Sequence, residues 1–205
     1  MNAQDFPLAQ EGEVDLVALD RQVDWDNPTA LERVVFSVDE PDYAKLNTEV
    51  AACPRMAHLR WSGGKTLLHL AAGDTQNELA RLLIRFGANV NADYSGYGTP
   101  IHEAIEAGNT EGMSLLVEHG ARVDTPDNSG RRPLHKVARY GDPAMVDILL
   151  RNGAEINQVD ADGQTPLDLA ITWRRDAVVK MLIEHGAKVT SGHYDDYVAE
   201  LMRGH

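Results

Sequence analysis

From residue 66 onward the apolar positions fall into two alternating rhythms. Leu79, Leu82 and Leu83, and again Val146, Leu149 and Leu150, keep the i, i+3, i+4 spacing of a helix that buries one stripe. A shorter apolar stretch precedes each such helix and is built on small residues, Ala71-Ala72, Ala104, Ala138 and Ala170. Small side chains at those positions predict a first helix pressed close to its neighbours. Thr66-Leu67-Leu68-His69, Thr99-Pro100-Ile101-His102, Arg132-Pro133-Leu134-His135 and Thr165-Pro166-Leu167-Asp168 open these stretches 33 residues apart. Gly87-Ala88, Gly120-Ala121, Gly153-Ala154 and Gly186-Ala187 close the second helices at the same interval. Two independent landmarks in one register define a repeat. Within it, Thr caps the first helix, Pro occupies a first-turn position where no amide partner is lost, and Gly supplies a left-handed stop. The Asp- and Asn-rich segments 89–98, 124–130 and 157–163 carry turn chemistry. Each unit therefore reads as helix, turn, helix, loop.

A 33-residue period opened by Thr-Pro-Leu-His resembles the ankyrin repeat. The resemblance is strong over 66–188 and weak over 6–60. It implies an all-α solenoid of helix-turn-helix units with protruding finger loops, forming one domain over 1–205. The regular repeats are 65–97, 98–130, 131–163 and 164–190, preceded by a divergent repeat at 28–64 and a degenerate N-terminal capping unit at 6–27. A C-terminal capping helix is expected at 194–205, where Tyr197, Val198, Leu201 and Met202 share a face that should cover the last repeat. From Thr29 to Thr66 the spacing is 37 residues, and the excess is expected in a long finger at 54–64. Several residues depart from the pattern. Leu67 replaces Pro, Arg132 replaces the capping Thr, Asp168 replaces His, and Thr75 and Arg174 stand where the turn between helices has Gly108 and Gly141. A repeat that gives up both Gly and His near Trp173-Arg174-Arg175 points either to binding or to drift.

Charge narrows the partners. The 205 residues carry 32 acids and 19 bases, a net charge of −13, which disfavours nucleic acid because phosphate binding needs a basic footprint. Residues 1–60 hold 12 acids and 5 bases and are the more acidic part per residue. The single cysteine, Cys53, forms no intramolecular disulfide and fits a reducing compartment. The opening residues lack a basic and an apolar leader region, and no apolar run reaches membrane-spanning length. A cytoplasmic protein with no membrane partner, monomeric when free, is expected.

Candidate chemistry is sparse. Trp61-Ser62-Gly63-Gly64-Lys65-Thr66 ends like a phosphate-cradling loop, but Leu59 stands where the first glycine belongs and no strand precedes it, so a finger tip is the simpler reading. His69, His102 and His135 recur every 33 residues, yet adjacent repeats lie about 10 Å apart whereas a zinc ligand sits about 2 Å from its metal. The resemblance implies that each histidine braces its finger through backbone hydrogen bonds. No nucleophile, metal or dinucleotide motif is present, so no catalytic residue, metal site or cofactor is assigned.

What remains is surface. In ankyrin-like repeats the fingers and first helices line a concave face that takes partners. Carried onto this chain, the face reads Leu70, Gly73 and Asp74; Glu103, Glu106 and Ala107; Lys136, Arg139 and Tyr140; Leu169, Thr172 and Trp173, with finger residues such as Lys65, Tyr97 and Arg131. Exposed Trp, Tyr and Arg are typical of binding hot spots, so Arg131, Lys136, Arg139, Tyr140, Trp173, Glu103, Glu106 and Tyr97 are the candidate partner-binding residues. The competing reading makes Glu103–Lys136 and Glu106–Arg139 surface ion pairs worth ~0–1 kcal/mol. The expected function is a protein-interaction module, an adaptor or inhibitor that holds one protein. Two alternatives stay open: an immunity-type inhibitor covering a toxin's or enzyme's active site, and an enzyme or small-ligand site in the 54–64 loop.

Overall fold

A computed structural model describes residues 43–60, 63–189 and 195–203. Ten α-helices and one 3-10 helix fill these segments: α1 (Tyr43–Ala52), the 3-10 helix Pro54–His58, α2 (Leu67–Gly73), α3 (Asn77–Arg85), α4 (Pro100–Glu106), α5 (Thr110–Glu118), α6 (Pro133–Tyr140), α7 (Pro143–Arg151), α8 (Pro166–Thr172), α9 (Asp176–Glu184) and α10 (Asp195–Arg203). The one extended pairing among the described residues is an antiparallel bridge between Arg60 and Thr66 at the base of a finger. The chain is an all-α solenoid.

Two rows of helices stack in chain order. The first helices α2, α4, α6 and α8 pack each on the next, and the second helices α3, α5, α7 and α9 form a parallel row extended by α1 at one end. Leu79, Leu83, Leu116, Leu149 and Leu182 of the second row are fully buried, as are Ala71, Ala104, Ala138 and Ala170 of the first. The alanines let the first row close up, and the leucines fill the seam between the rows. This seam is one continuous core running along the stack, so each unit is stabilised mainly by its neighbours.

The Gly-Ala pairs work as helix stops. Each alanine N–H reaches back five residues to a carbonyl of the second helix: Ala88 to Leu83 (2.9 Å), Ala121 to Leu116 (2.9 Å), Ala154 to Leu149 (3.0 Å) and Ala187 to Leu182 (2.9 Å). The same wrap ends the first helices, with Gln76 N–H on the Ala71 carbonyl (2.8 Å), Asn109 on Ala104 (2.8 Å) and Arg175 on Ala170 (2.9 Å). It needs a left-handed residue at the turn, and Thr75 (φ 57°) and Arg174 (φ 54°) adopt that conformation where Gly108 (φ 67°) does so in its own repeat. Those two turns are strained for L-residues.

Three expectations need adjustment. Residues 54–58 do not extend a finger: Pro54 starts a 3-10 helix whose Met56 and Ala57 are buried against the core, because this segment offers apolar side chains that a solvent loop would waste. In α10, Tyr197, Val198 and Leu201 pack on the core while Met202 is exposed, since it falls on the outer side of the helix. Asp168 is not a loss relative to His. The unit at 6–27 and the start of the divergent repeat lie outside the described residues.

Candidate binding face

The first-helix caps hold the fingers in place. Thr66 N–H donates to His69 Nδ1 at 3.2 Å, Thr99 N–H to His102 Nδ1 at 3.0 Å and Arg132 N–H to His135 Nδ1 at 3.3 Å. An accepting Nδ1 leaves the ring hydrogen on Nε2. In His135 that Nε2–H donates to the Gln164 carbonyl (3.1 Å) and braces the following finger. The Nε2 atoms of His69 and His102 are buried and close no hydrogen bond. Burial pushes both rings down to about 4, against the opposing pull of the Gly98 backbone on His69 and of the Asp127 carboxylate on His102, so both are neutral near pH 7. His135 is lowered by the same cause. Asp168 does the equivalent job in the last repeat. Its Oδ2 accepts from Thr165 N–H (2.9 Å) and the Thr165 hydroxyl (2.7 Å), while Thr165 Oγ1 accepts from Asp168 N–H (3.1 Å). Arg132, lacking a side-chain acceptor, leaves only half of that reciprocal cap in its repeat.

The glycine pair after Trp61 serves the fingers as well. A Cβ on Gly64 (φ 94°) would meet the Asp93 carbonyl oxygen at 2.7 Å, so the two fingers touch backbone to backbone there. Lys65 lies 5.4 Å from the centre of the Tyr94 ring and 3.7 Å from Glu103. The lysine of the phosphate-loop-like sequence is thus engaged with its neighbours, and Gly64 and Lys65 pack against the next finger. Successive fingers are tied further by Asn128 N–H on the Gly96 carbonyl (2.6 Å) and Ala161 N–H on the Ser129 carbonyl (3.0 Å).

On this frame the candidate residues divide into two groups. Arg131 pairs with the buried Asp160 (3.3 Å) and with Asp162 (3.6 Å). Lys136, only 11% exposed, sits between Glu106 and Asp127 (3.2 Å from the latter), and these carboxylates raise its pKa against the effect of burial. Glu103 faces Lys65. The ion pairs therefore form between neighbouring repeats, but with partners shifted from the expected Glu103–Lys136 and Glu106–Arg139: the Lys136 ammonium lies with Glu106, which leaves Arg139 for another contact. Arg131, Lys136, Glu103 and Glu106 are tied into the framework.

Tyr97, Tyr140 and Trp173 form the other group, 67%, 42% and 46% exposed. Tyr97 stacks at a tilt on Tyr94 with ring centres 5.2 Å apart, and Tyr94 in turn meets the edge of His69 at 6.1 Å. A cavity of about 280 Å³ lies beside them, between the finger residues Tyr94, Gly96 and Tyr97 and the helix residues Glu103, Glu106 and Lys136. Arg139 lies over the Trp173 ring, 4.8 Å from its centre. Leu169 is buried in the first-helix row rather than on the face.

Models of ankyrin repeats match residues 44–127 (three copies), 116–170 (many copies) and 162–194 (a single repeat). Together they run through the described stack, and the chain belongs to the ankyrin-repeat family. No curated protein matches it. Ankyrin repeats in general are protein–protein interaction modules and typically do no catalysis. Among the described residues no helix is long and apolar enough to cross a membrane, and no group of three or more His, Cys, Asp or Glu side chains is placed to hold a metal.

Proposed function

We propose that this chain is an adaptor or inhibitor that holds one protein partner against the face built by the first helices and fingers, centred on the repeats that contain α6 and α8. One observation carries the reading: of the five large apolar side chains exposed among the described residues, Tyr97, Tyr140 and Trp173 all belong to that face. Aromatic side chains left in water beside a neutralised polar framework are the pattern of a hot spot with its surround. Arg139, packed on Trp173, is the charged member of the cluster, whereas Arg131, Lys136, Glu103 and Glu106 set its shape. Inhibition of an enzyme or toxin, by covering its active site, is the narrower version of the same reading.

The test uses the full chain as bait. Replacing Tyr140 and Trp173 together by Ala should weaken a captured partner by ~2 kcal/mol or more, the scale of hot-spot residues, while the melting temperature stays nearly unchanged. A control replaces Arg81 and Arg85 on α3, of which Arg81 is committed to Glu111 at 2.8 Å. Equal affinity for the two variants would move the site off this face.

A further inference from the structure

Three arginines gather at the turn end of α6 and α8. Arg139 lies over Trp173 at 4.8 Å, Arg174 lies over the Tyr197 ring at 4.5 Å, and Arg175 donates through Nε to the Arg139 carbonyl at 2.9 Å. All three are exposed. Each guanidinium is thus positioned by a ring or a carbonyl and, among the described residues, none is within ion-pair distance of a carboxylate; the pairs that do form involve Lys65, Arg81, Arg131, Lys136 and Arg151. The nearest acids in sequence already hold other hydrogen bonds, Asp176 within the cluster itself through the Tyr197 hydroxyl, which Arg174 also contacts. Asp142 accepts from the Thr110 hydroxyl (2.7 Å) and Ala144 N–H (2.8 Å), and Asp176 accepts from the Tyr197 hydroxyl. Arg175 uses Nε on the Arg139 carbonyl and Arg174 engages Tyr197; a guanidinium has five donors, so donors remain on all three side chains for a further acceptor.

The backbone here is strained, as it is at Thr75. Arg174 holds a left-handed turn at φ 54°, where the equivalent Gly141 sits at φ 91° and Gly108 at φ 67°. Thr75 (φ 57°) is strained in the same way, so what sets this turn apart is that its left-handed residue is an arginine whose side chain lies on Tyr197. Gly141 in turn makes room for the cluster: a Cβ there would lie 2.6 Å from Arg175 Cδ. Trp173 and Tyr140 supply an apolar rim beside the three charges.

From this arrangement we infer that the occupant of the α6–α8 face is an acidic protein segment, whose carboxylates pair with Arg139, Arg174 and Arg175 while its apolar atoms rest on Trp173 and Tyr140. This rests on the reading of that face as the partner surface and specifies the partner's chemistry. The argument is charge complementarity at contact range. A cation–π contact uses the face of the ring and not a hydrogen-bond acceptor, so an arginine over an aromatic ring keeps donors for bidentate carboxylate pairing. The negative charge of the rest of the chain does not oppose it at physiological salt, where the Debye length is about 8 Å and distant acids are screened while contacting groups are not. A basic partner would meet three guanidiniums that form no ion pair among the described residues and would be disfavoured.

The experiment titrates the full chain, labelled with 15N, with acetylated and amidated hexaglutamate at 0.15 M salt, following the arginine Nε–H and tryptophan indole resonances. Saturable shifts at Arg139, Trp173, Arg174 and Arg175 are expected, with a Kd of about 1 mM or tighter, the scale of two or three charge-assisted hydrogen bonds. Arg139→Gln combined with Arg175→Gln should weaken the peptide by about tenfold or more. Arg174→Gly should also weaken it while the melting temperature does not fall, an outcome that a purely structural arginine would not give. The inference is overturned by absence of saturation at about 10 mM peptide, by unchanged affinity in these variants, or by hexalysine or an oligothymidylate binding the same residues more tightly. If hexaglutamate fails but partner capture still requires Tyr140 and Trp173, the acidic chemistry is wrong and the binding face stands. If capture ignores Tyr140 and Trp173, the face itself is wrong and the inference goes with it.

Discussion

Thr75→Gly should make the protein more stable. Thr75 is exposed, ends α2 in the left-handed conformation at φ 57°, and is β-branched, the side-chain class least suited to that region. Its local hydrogen bonds belong to the backbone: Gln76 N–H to the Ala71 carbonyl (2.8 Å) and Asn77 N–H to the Thr75 carbonyl (3.1 Å), and both survive the substitution. Relief of a left-handed L-residue contributes ~1–2 kcal/mol, and the extra freedom of glycine in the unfolded chain takes back ~0.5–1 kcal/mol. The net gain is about 0.5–1 kcal/mol, or roughly 1–4 °C in melting temperature for a chain of this size. A mirror control isolates the backbone effect. At Gly108 a Cβ would meet nothing within 4 Å, so Gly108→Thr introduces strain without a clash and should destabilise by ~1 kcal/mol. Urea unfolding of the two variants beside the parent chain measures both signs. A lower midpoint for Thr75→Gly would refute the account of these turns and would mean that the threonine side chain makes a favourable contact that outweighs its strain.

Acid should weaken the stack through its capping histidines. His69 and His102 are held near 4 in the folded chain against an unfolded value of 6.5, so the unfolded state binds protons first as the pH falls. Their stability contribution is complete above pH 6.5 and is lost between 6.5 and about 4, by up to roughly 3 kcal/mol for each; urea midpoints across that window should fall, and less steeply in His69→Gln. Asn91→Ala removes two bonds to the next repeat, Asn91 Nδ2 to the Gly120 carbonyl (2.9 Å) and Arg122 N–H to Asn91 Oδ1 (2.8 Å), and should cost ~1–3 kcal/mol. Asn157→Ala, which removes one such bond, from Lys188 N–H (2.9 Å), should cost less by the same denaturation assay.

The repeat was legible because its physics is local. Small residues in the first helix, the leucine stripe in the second and the Gly-Ala stop each impose a backbone state within a few residues, so a 33-residue register in the chain becomes a register in space. Thr75 and Arg174 were identifiable as strained turns for the same reason, since the glycines at matching positions state the conformation required. The face was only partly legible. Which of Glu103 and Glu106 meets Lys136 depends on the stagger between neighbouring helices, a tertiary quantity that i, i+3, i+4 spacing does not contain. Leu169 looked exposed by analogy with Lys136 but is covered in the last repeat. Asp168 looked like a lost histidine, whereas a carboxylate satisfies the same two donors of Thr165 with shorter reach. The role of Pro54–His58 was hidden because a five-residue apolar turn has too little periodicity to separate a packed 3-10 helix from a finger.

Hydrogen–deuterium exchange on the complex with a captured partner tests the central claim most directly. Segments 132–140 and 166–175, which carry Arg139, Tyr140, Trp173, Arg174 and Arg175, should exchange more slowly in the complex, while α3, α5 and α7 of the second-helix row stay as they are in the free chain. Protection confined to the second-helix row, or to residues 43–60 with 132–140 and 166–175 unchanged, would contradict it.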